Sequence, residues 1–343
     1  MKRKAFILFS VISFLLTSRS VVTVANPEQQ NPPLPPAQSR AYPDNLFGID
    51  FFDRTHGIVT GYYGTVLRTV DGGTSWQRSV AKVDGVQELL RRVDMVGPKK
   101  GYAVGHRGTI LKTMDGGISW ATLYQQPGIY LRDVSFIDES TGWVVGHEAT
   151  ILFTHDGGSS WKKETLEGYE GRDMPRINGV VAIDDSKAML VGEFGVVAER
   201  GKSGAWNLID TGAGDTYTAL AVNKNGFVVV GLDGKLIKIE ESAEEESDRV
   251  THLESGTTMH LFDIDINDSG KGYIVGLTSL LALNELTVTP VEADPGLAIK
   301  YTWFGGVVVL ADGQAWAVGR LGLIAHSVSQ EEGFRPAYRL GQP

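Results

Sequence analysis

The chain has no cysteine in its 343 residues. Disulfide stapling, thiolate zinc sites, iron–sulfur clusters and thiol catalysis are therefore excluded. It also lacks a basic excess: 32 Lys and Arg stand against 41 Asp and Glu, a formal charge of −9. A general nucleic-acid binder is not expected with that balance. Long helical patterns are few, and no apolar run is long enough to cross a bilayer. The longest, Ala5 to Leu16, falls short of the ~20 residues a spanning helix needs. What is abundant is glycine, 42 residues, which points to short strands and tight turns.

Lys2, Arg3 and Lys4 precede that apolar run, and small residues close it at Val22-Thr23-Val24-Ala25. A charged start, a short apolar stretch and a small-residue end predict a cleaved secretory signal over 1–25 rather than a membrane anchor. The mature chain is then expected to be periplasmic and peripheral to the membrane. Without cysteine it cannot be lipidated as a bacterial lipoprotein. Removing 1–25 takes away four cations and no acids, so the remainder carries −13. Residues 26–43 contain Pro27, Pro32, Pro33, Pro35, Pro36 and Pro43 and read as an extended linker.

Residues 44–343 repeat one unit seven times. A strand ending in glycine, a short turn and a second strand recur as HGIVTGYYGTVLRT, KGYAVGHRGTILKT and TGWVVGHEATILFT, with four looser copies. The anchor glycines are Gly61, Gly105, Gly146, Gly192, Gly231, Gly276 and Gly319. Each copy follows an alternating segment such as LRRVDMVG or LFDIDIND, the period-two signature of a half-buried strand. Spacings of about 40–45 residues with four strands per unit predict an all-β fold, a seven-bladed β-propeller of four-stranded antiparallel blades. The last blade needs an outer strand. Phe334–Leu340 could supply it, or the segment before Leu46 could swap in.

Three units carry a sharper word after their third strand: Thr69-Val-Asp71-Gly72-Gly73-Thr-Ser75-Trp76, with copies at Thr113–Trp120 and Thr154–Trp161. The aspartate can accept turn amides, the glycines permit positive φ, and the tryptophan can close the hairpin. The word resembles the Asp-box of bacterial neuraminidase repeats, and Ser203-Gly-Ala-Trp206 reads as a decayed fourth copy. A turn lock is the expected role, so these aspartates are left out of the candidate site.

A chain of Asp-box units with stretches like LRDVSFIDESTGWVVGHEATILFTHDGGSSW resembles the photosystem II stability/assembly-factor family of propellers. The resemblance is good over residues 44 to about 210. It implies a non-enzymatic propeller outside the cytoplasm that binds an integral membrane protein or membrane complex during assembly, with no cofactor. It also implies an arginine-rich patch on one face. Some relatives accompany resistance–nodulation–division (RND) exporters, which makes an RND-type transporter a candidate partner. The other reading is a sialidase-like glycoside hydrolase or carbohydrate-binding propeller. Against it, Phe334-Arg335-Pro336 lies at the wrong end for such an enzyme's Arg-Ile-Pro motif and lacks the isoleucine.

Chain direction puts the loops leading into each first strand, and the turns between strands two and three, on one face. The Asp-box turns lie on the other. The first face would carry Tyr62, Tyr63, Arg92, His106, Arg107, Arg132, His147, Arg176, Phe194 and Arg320, with Glu148 and Glu193 among them. Arginines beside aromatics on scaffolded loops suit a carboxylate-bearing partner. His106 and His147 share one repeat position and are too few for a zinc site, so no metal is expected. Asp263-Ile-Asp265-Ile-Asn267-Asp268 lacks the glycine of a calcium loop and reads as a strand. Glu240 to Asp248 reads as a solvated acidic loop. Acidity concentrates in the last three units: residues 41–210 carry 18 basic and 22 acidic side chains, residues 211–343 carry 9 and 18.

Overall fold

The computed structural model describes residues 44–339 other than 84, 242, 244, 246 and 247. The expected leader 1–25, the linker 26–43 and those four positions of the acidic stretch lie outside the described residues.

Seven antiparallel sheets follow one another in chain order. Their first strands are Leu46–Phe51, Leu90–Met95, Leu131–Phe136, Ile177–Ala182, Tyr217–Asn223, Leu261–Ile266 and Phe304–Val309. Each is followed by a second strand, buried throughout except at Lys271 of blade 6, that ends on an anchor glycine, such as Gly57–Gly61 or Gly101–Gly105. At Gly105 a Cβ would sit 2.0 Å from the Leu89 carbonyl oxygen, so the repeat needs glycine there for close approach rather than for its dihedral angles. Blade 4 gains a fifth strand, Leu166–Glu167, parallel to Trp206–Leu208 on its outer edge. Arg335–Arg339 pairs antiparallel with Leu323–Ser327, so the C-terminal segment completes blade 7.

The core is divided among the interfaces between blades, because one sheet cannot cover both of its own faces. The ring closes where Leu46, Ile49, Phe51 and Val59 of blade 1 meet Val308, Trp316, Val318 and Ile324 of blade 7. The other adjacent pairs are joined by equivalent clusters.

The Asp-boxes act as locks. In blade 1 the Asp71 carboxylate accepts from Ser75 N at 3.0 Å, Ser75 Oγ at 2.6 Å and Thr69 Oγ1 at 2.7 Å. The other two boxes repeat this pattern. The Ser75 hydroxyl and amide, then Thr69, hold the Asp71 pKa down at about 2. The second and third boxes also grip the preceding blade: Arg68 Nε donates to Gly116 O at 3.0 Å, and Lys112 Nζ to Gly157 O at 2.8 Å.

Carboxylates of the first strands stitch blade to blade. Asp50 accepts from Met95 N, Asp94 from Phe136 N, Asp133 from Val180 N, Asp263 from Val307 N and Asp265 from Val309 N, all within 2.9 Å. Asp263 and Asp265 are thus strand residues, and no group of three or more metal-ligating side chains occurs among the described residues. Burial raises the Asp50 carboxyl to about 6, against the Met95 and Phe51 amides, and Asp265 to about 7. Asp94 is raised well above its ordinary value by burial and by Asp50. The folded ring therefore holds protons that the unfolded chain releases near pH 4. This contribution is full below about pH 4 and is lost as pH rises toward 7. Asp94→Asn removes one of the repelling charges. Urea midpoints measured between pH ~4.5 and ~7.5 should fall less steeply for this variant than for the parent.

Candidate functional site

Every blade turns from its second to its third strand through a residue in the left-handed region: Tyr63, Arg107, Glu148, Phe194, Asp233, Thr278 and Leu321, with φ between 50° and 59°. Thr65 N bonds back to Tyr62 O, and Tyr63 and Gly64 both have positive φ, a type I′ hairpin. Asn, Asp or Gly fits the first central position best, yet only blade 5 uses one there. Tyr, Arg, Glu, Phe and Leu are held against that preference. These turns dock on the loops leading into the first strands, as where Tyr62 N donates to Asn45 O, His106 N to Leu89 O and Glu193 N to Arg176 O. The two loop sets form one face, as chain direction predicts.

The centre of that face is the ring mouth, where the first strands of adjacent blades converge. Here Arg91 and Arg132 lie on neighbouring blades. A β-bulge between the first and third residues of each first strand breaks the simple alternation. Consecutive polar side chains, Arg91 with Arg92 and Arg132 with Asp133, can then serve the ring opening together.

The sequence placed Arg92 among the face residues, and the structure corrects this. Arg92 spans the ring: its Nη1 and Nη2 each lie 2.6 Å from an oxygen of Asp263, and its Nε lies 3.0 Å from Asp133 Oδ1. Burial alone would lower its pKa, but Asp263 and Asp133 hold it above the ordinary arginine value. It is a structural tie between blades 2, 3 and 6. Arg132 likewise belongs to a strand rather than a loop.

Arg91 and Arg132 differ from Arg92 in having no carboxylate within 4 Å among the described residues. Arg91 Nη1 reaches only the carbonyls of Phe47 and Gly305, at 3.5 and 3.4 Å. Its pKa falls to about 9, through burial first and then repulsion from Arg132 and Arg92. Burial and then Arg176 lower Arg132, and its Nε is buried without a hydrogen-bond partner. Beside them, Tyr130 lies edge-on to His106 at 3.7 Å and stacks on His147 at 5.1 Å. Burial, then Arg132 and Arg176, drop His147 to about 4, so it is neutral at neutral pH. Arg176 pairs with Glu193 at 3.2 Å and Arg107 with Glu88 at 3.1 Å, while Arg320 Nη1 donates to Tyr301 O. Tyr62, Tyr63 and Phe194 are exposed on the same face. The mouth thus holds two desolvated guanidiniums that Asp133, Asp263 and Glu193 influence only from beyond 4 Å, an arrangement suited to a carboxylate or similar anion.

The sequence model of the family described as photosynthesis system II assembly factor YCF48 matches residues 38–129 and 125–210.

The chain belongs to this family.

Two solved YCF48 structures share the fold. One, bound to D1 peptide, is 17% identical over 84% of this chain and 93% of that one, with a TM-score of 0.66. The other, from Cyanidioschyzon merolae, is 18% identical over 84% and 96%, also at 0.66. An ancestral GH74 enzyme matches at 11% identity and 0.66, covering 87% of this chain but only 47% of its own length, which shows a shared fold alone. No curated protein sequence matches. In this YCF48-family chain the residue that sequence reasoning passed over is Arg91. It sits in the same LRRVD stretch as Arg92, and only the bulge register separates a structural arginine from one left without a carboxylate.

Proposed function

We propose that this chain is a non-enzymatic assembly or accessory factor that works in the periplasm. It docks, peripheral to the membrane, on a membrane protein complex through the arginine-lined mouth. The observation that carries this reading is the pair Arg91 and Arg132, desolvated, adjacent and with no carboxylate within 4 Å among the described residues. An acidic segment of a partner would supply a counter-ion at contact distance. The strained turn residues around the mouth support the same face, since left-handed Tyr, Arg and Phe are retained there against backbone preference. Family membership and the D1 peptide bound to one YCF48 structure support peptide capture rather than chemistry. An RND-type exporter is the first partner to look for.

Arg132→Glu with Arg176→Glu should abolish recovery of the membrane partner from solubilised membranes while circular dichroism and melting stay near those of the parent. Unchanged recovery sinks the proposal. Turnover of a fluorogenic sialoside or glucoside panel by the purified chain would favour the glycosidase reading instead.

A further inference from the structure

The mouth is chemically lopsided. At the second first-strand position, blades 2 and 3 carry Arg91 and Arg132, while blade 1 carries Phe47 and blade 7 carries Gly305. A Cβ on Gly305 would lie 3.0 Å from the Trp303 ring, so the missing side chain lets that indole lie over the strand. Trp303 stacks on Phe47 with centroids 5.5 Å apart and planes at 19°. Phe47 meets Tyr62 edge-on at 4.9 Å, and Tyr62 meets Tyr63 at 5.7 Å. Phe47 and Trp303 stand apart from the apolar clusters that join the blades, and Tyr62 and Tyr63 are 37% and 50% exposed. The shelf is therefore half-buried at Phe47 and Trp303 and open to solvent at Tyr62 and Tyr63. It abuts the cationic half directly, because the Arg91 guanidinium carbon lies 5.6 Å from the Phe47 ring centre.

We propose that this shelf is a second subsite, so that the segment captured by the mouth carries an aromatic side chain one or two residues from its acidic one. The inference rests on the arginine reading above and adds a specificity to it. An extended strand advances about 3.3 Å per residue, so neighbouring or next-but-one side chains span the gap between the Arg91–Arg132 pair and the Phe47–Trp303 stack. The occupant is thus an extended acidic–aromatic peptide. Its carboxylate meets two guanidiniums and its ring lies on Trp303, Phe47 or Tyr62, with edge or offset contact preferred. Rigid aromatic anchors beside desolvated arginines are the composition of an interaction hot spot.

The test is selection of a displayed random 12-residue peptide library against the full chain, followed by anisotropy titration of the best binder. The expected consensus pairs Asp or Glu with Phe, Tyr or Trp at a spacing of one or two. Replacing the peptide's aromatic by Ala, or Tyr62 and Trp303 of the chain by Ala, should weaken binding about tenfold. Tyr62→Ala alone, at an exposed turn, should weaken it in the same direction and guards against a folding defect. An acidic consensus indifferent to aromatics overturns this inference and leaves the arginine reading standing. A consensus without acids, or no enrichment, overturns both.

Discussion

Glu164→Ala should destabilise the chain by about 3–5 kcal/mol, the cost of stripping one partner from a buried ion pair. The Glu164 side chain is 2% exposed and its partner Arg200 9%. Arg200 Nη2 lies 2.8 Å from Oε1 and Nε 3.0 Å from Oε2, a two-point clasp. Oε2 also accepts from Trp206 Nε1 at 2.9 Å and Trp143 Nε1 at 3.3 Å. The arginine lies over the Trp143 and Phe153 rings, 5.2 and 4.9 Å from their centres. One carboxylate thus satisfies a guanidinium and two indoles, and its removal leaves all three groups short of an acceptor in the interior. Glu164→Leu with Arg200→Met removes both charges and should recover the ion-pair part of the loss, while the Trp143 and Trp206 indoles stay without that acceptor. Urea unfolding of parent, single and double variants reads this out. A single-variant loss below about 1 kcal/mol would mean that the carboxylate's partners are satisfied without it.

Arg92→Met should cost a similar amount, about 3–5 kcal/mol near neutral pH, for the converse reason. It leaves Asp133 and Asp263, whose side chains are 10% and 4% exposed, without their shared cation. Both also accept backbone amides of the next blade, so neither can turn away without breaking a link between blades. The pH dependence separates this effect from simple lost packing. With the cation gone, each carboxylate is buried against a like charge, and Asp133, already raised by burial, loses the Arg92 charge that opposes that rise. Stability lost at pH 7 should therefore return as the pH is lowered and the buried charge is neutralised. Melting temperatures of the variant and parent should converge on acidification. A gap that stays constant with pH would assign the loss to packing alone.

Much of the architecture was legible in the sequence because the physics repeats. Alternating first strands, anchor glycines and Asp-boxes each impose a local constraint that recurs about every 40–45 residues. The face was legible for the same reason, since chain direction alone puts Tyr62, His106, Arg107, His147 and Phe194 together. What escaped was the distinction among Arg91, Arg92 and Arg132. Strict alternation sends successive side chains to opposite sides, and the bulge in each first strand breaks that rule. The Glu164–Arg200 node was hidden by distance. Its partners are 36 residues apart and sit in two blades, and the weak box at Ser203–Trp206 gives no sign that Trp206 has exchanged an aspartate turn for a carboxylate in blade 3. The closure of blade 7 by Arg335–Arg339 left two routes open in the sequence and needed the observed pairing to decide.

The claim that the arginine face meets a membrane partner is tested most directly by photocrosslinking in intact cells. A photoreactive residue would be placed either at Phe194 on that face or at Ile118 in the Asp-box turn, both more than half exposed. The account predicts an adduct with an integral membrane protein from position 194, absent from position 118 and lost when Arg132 and Arg176 are changed to Glu. The same adduct from position 118 and none from position 194 would contradict it.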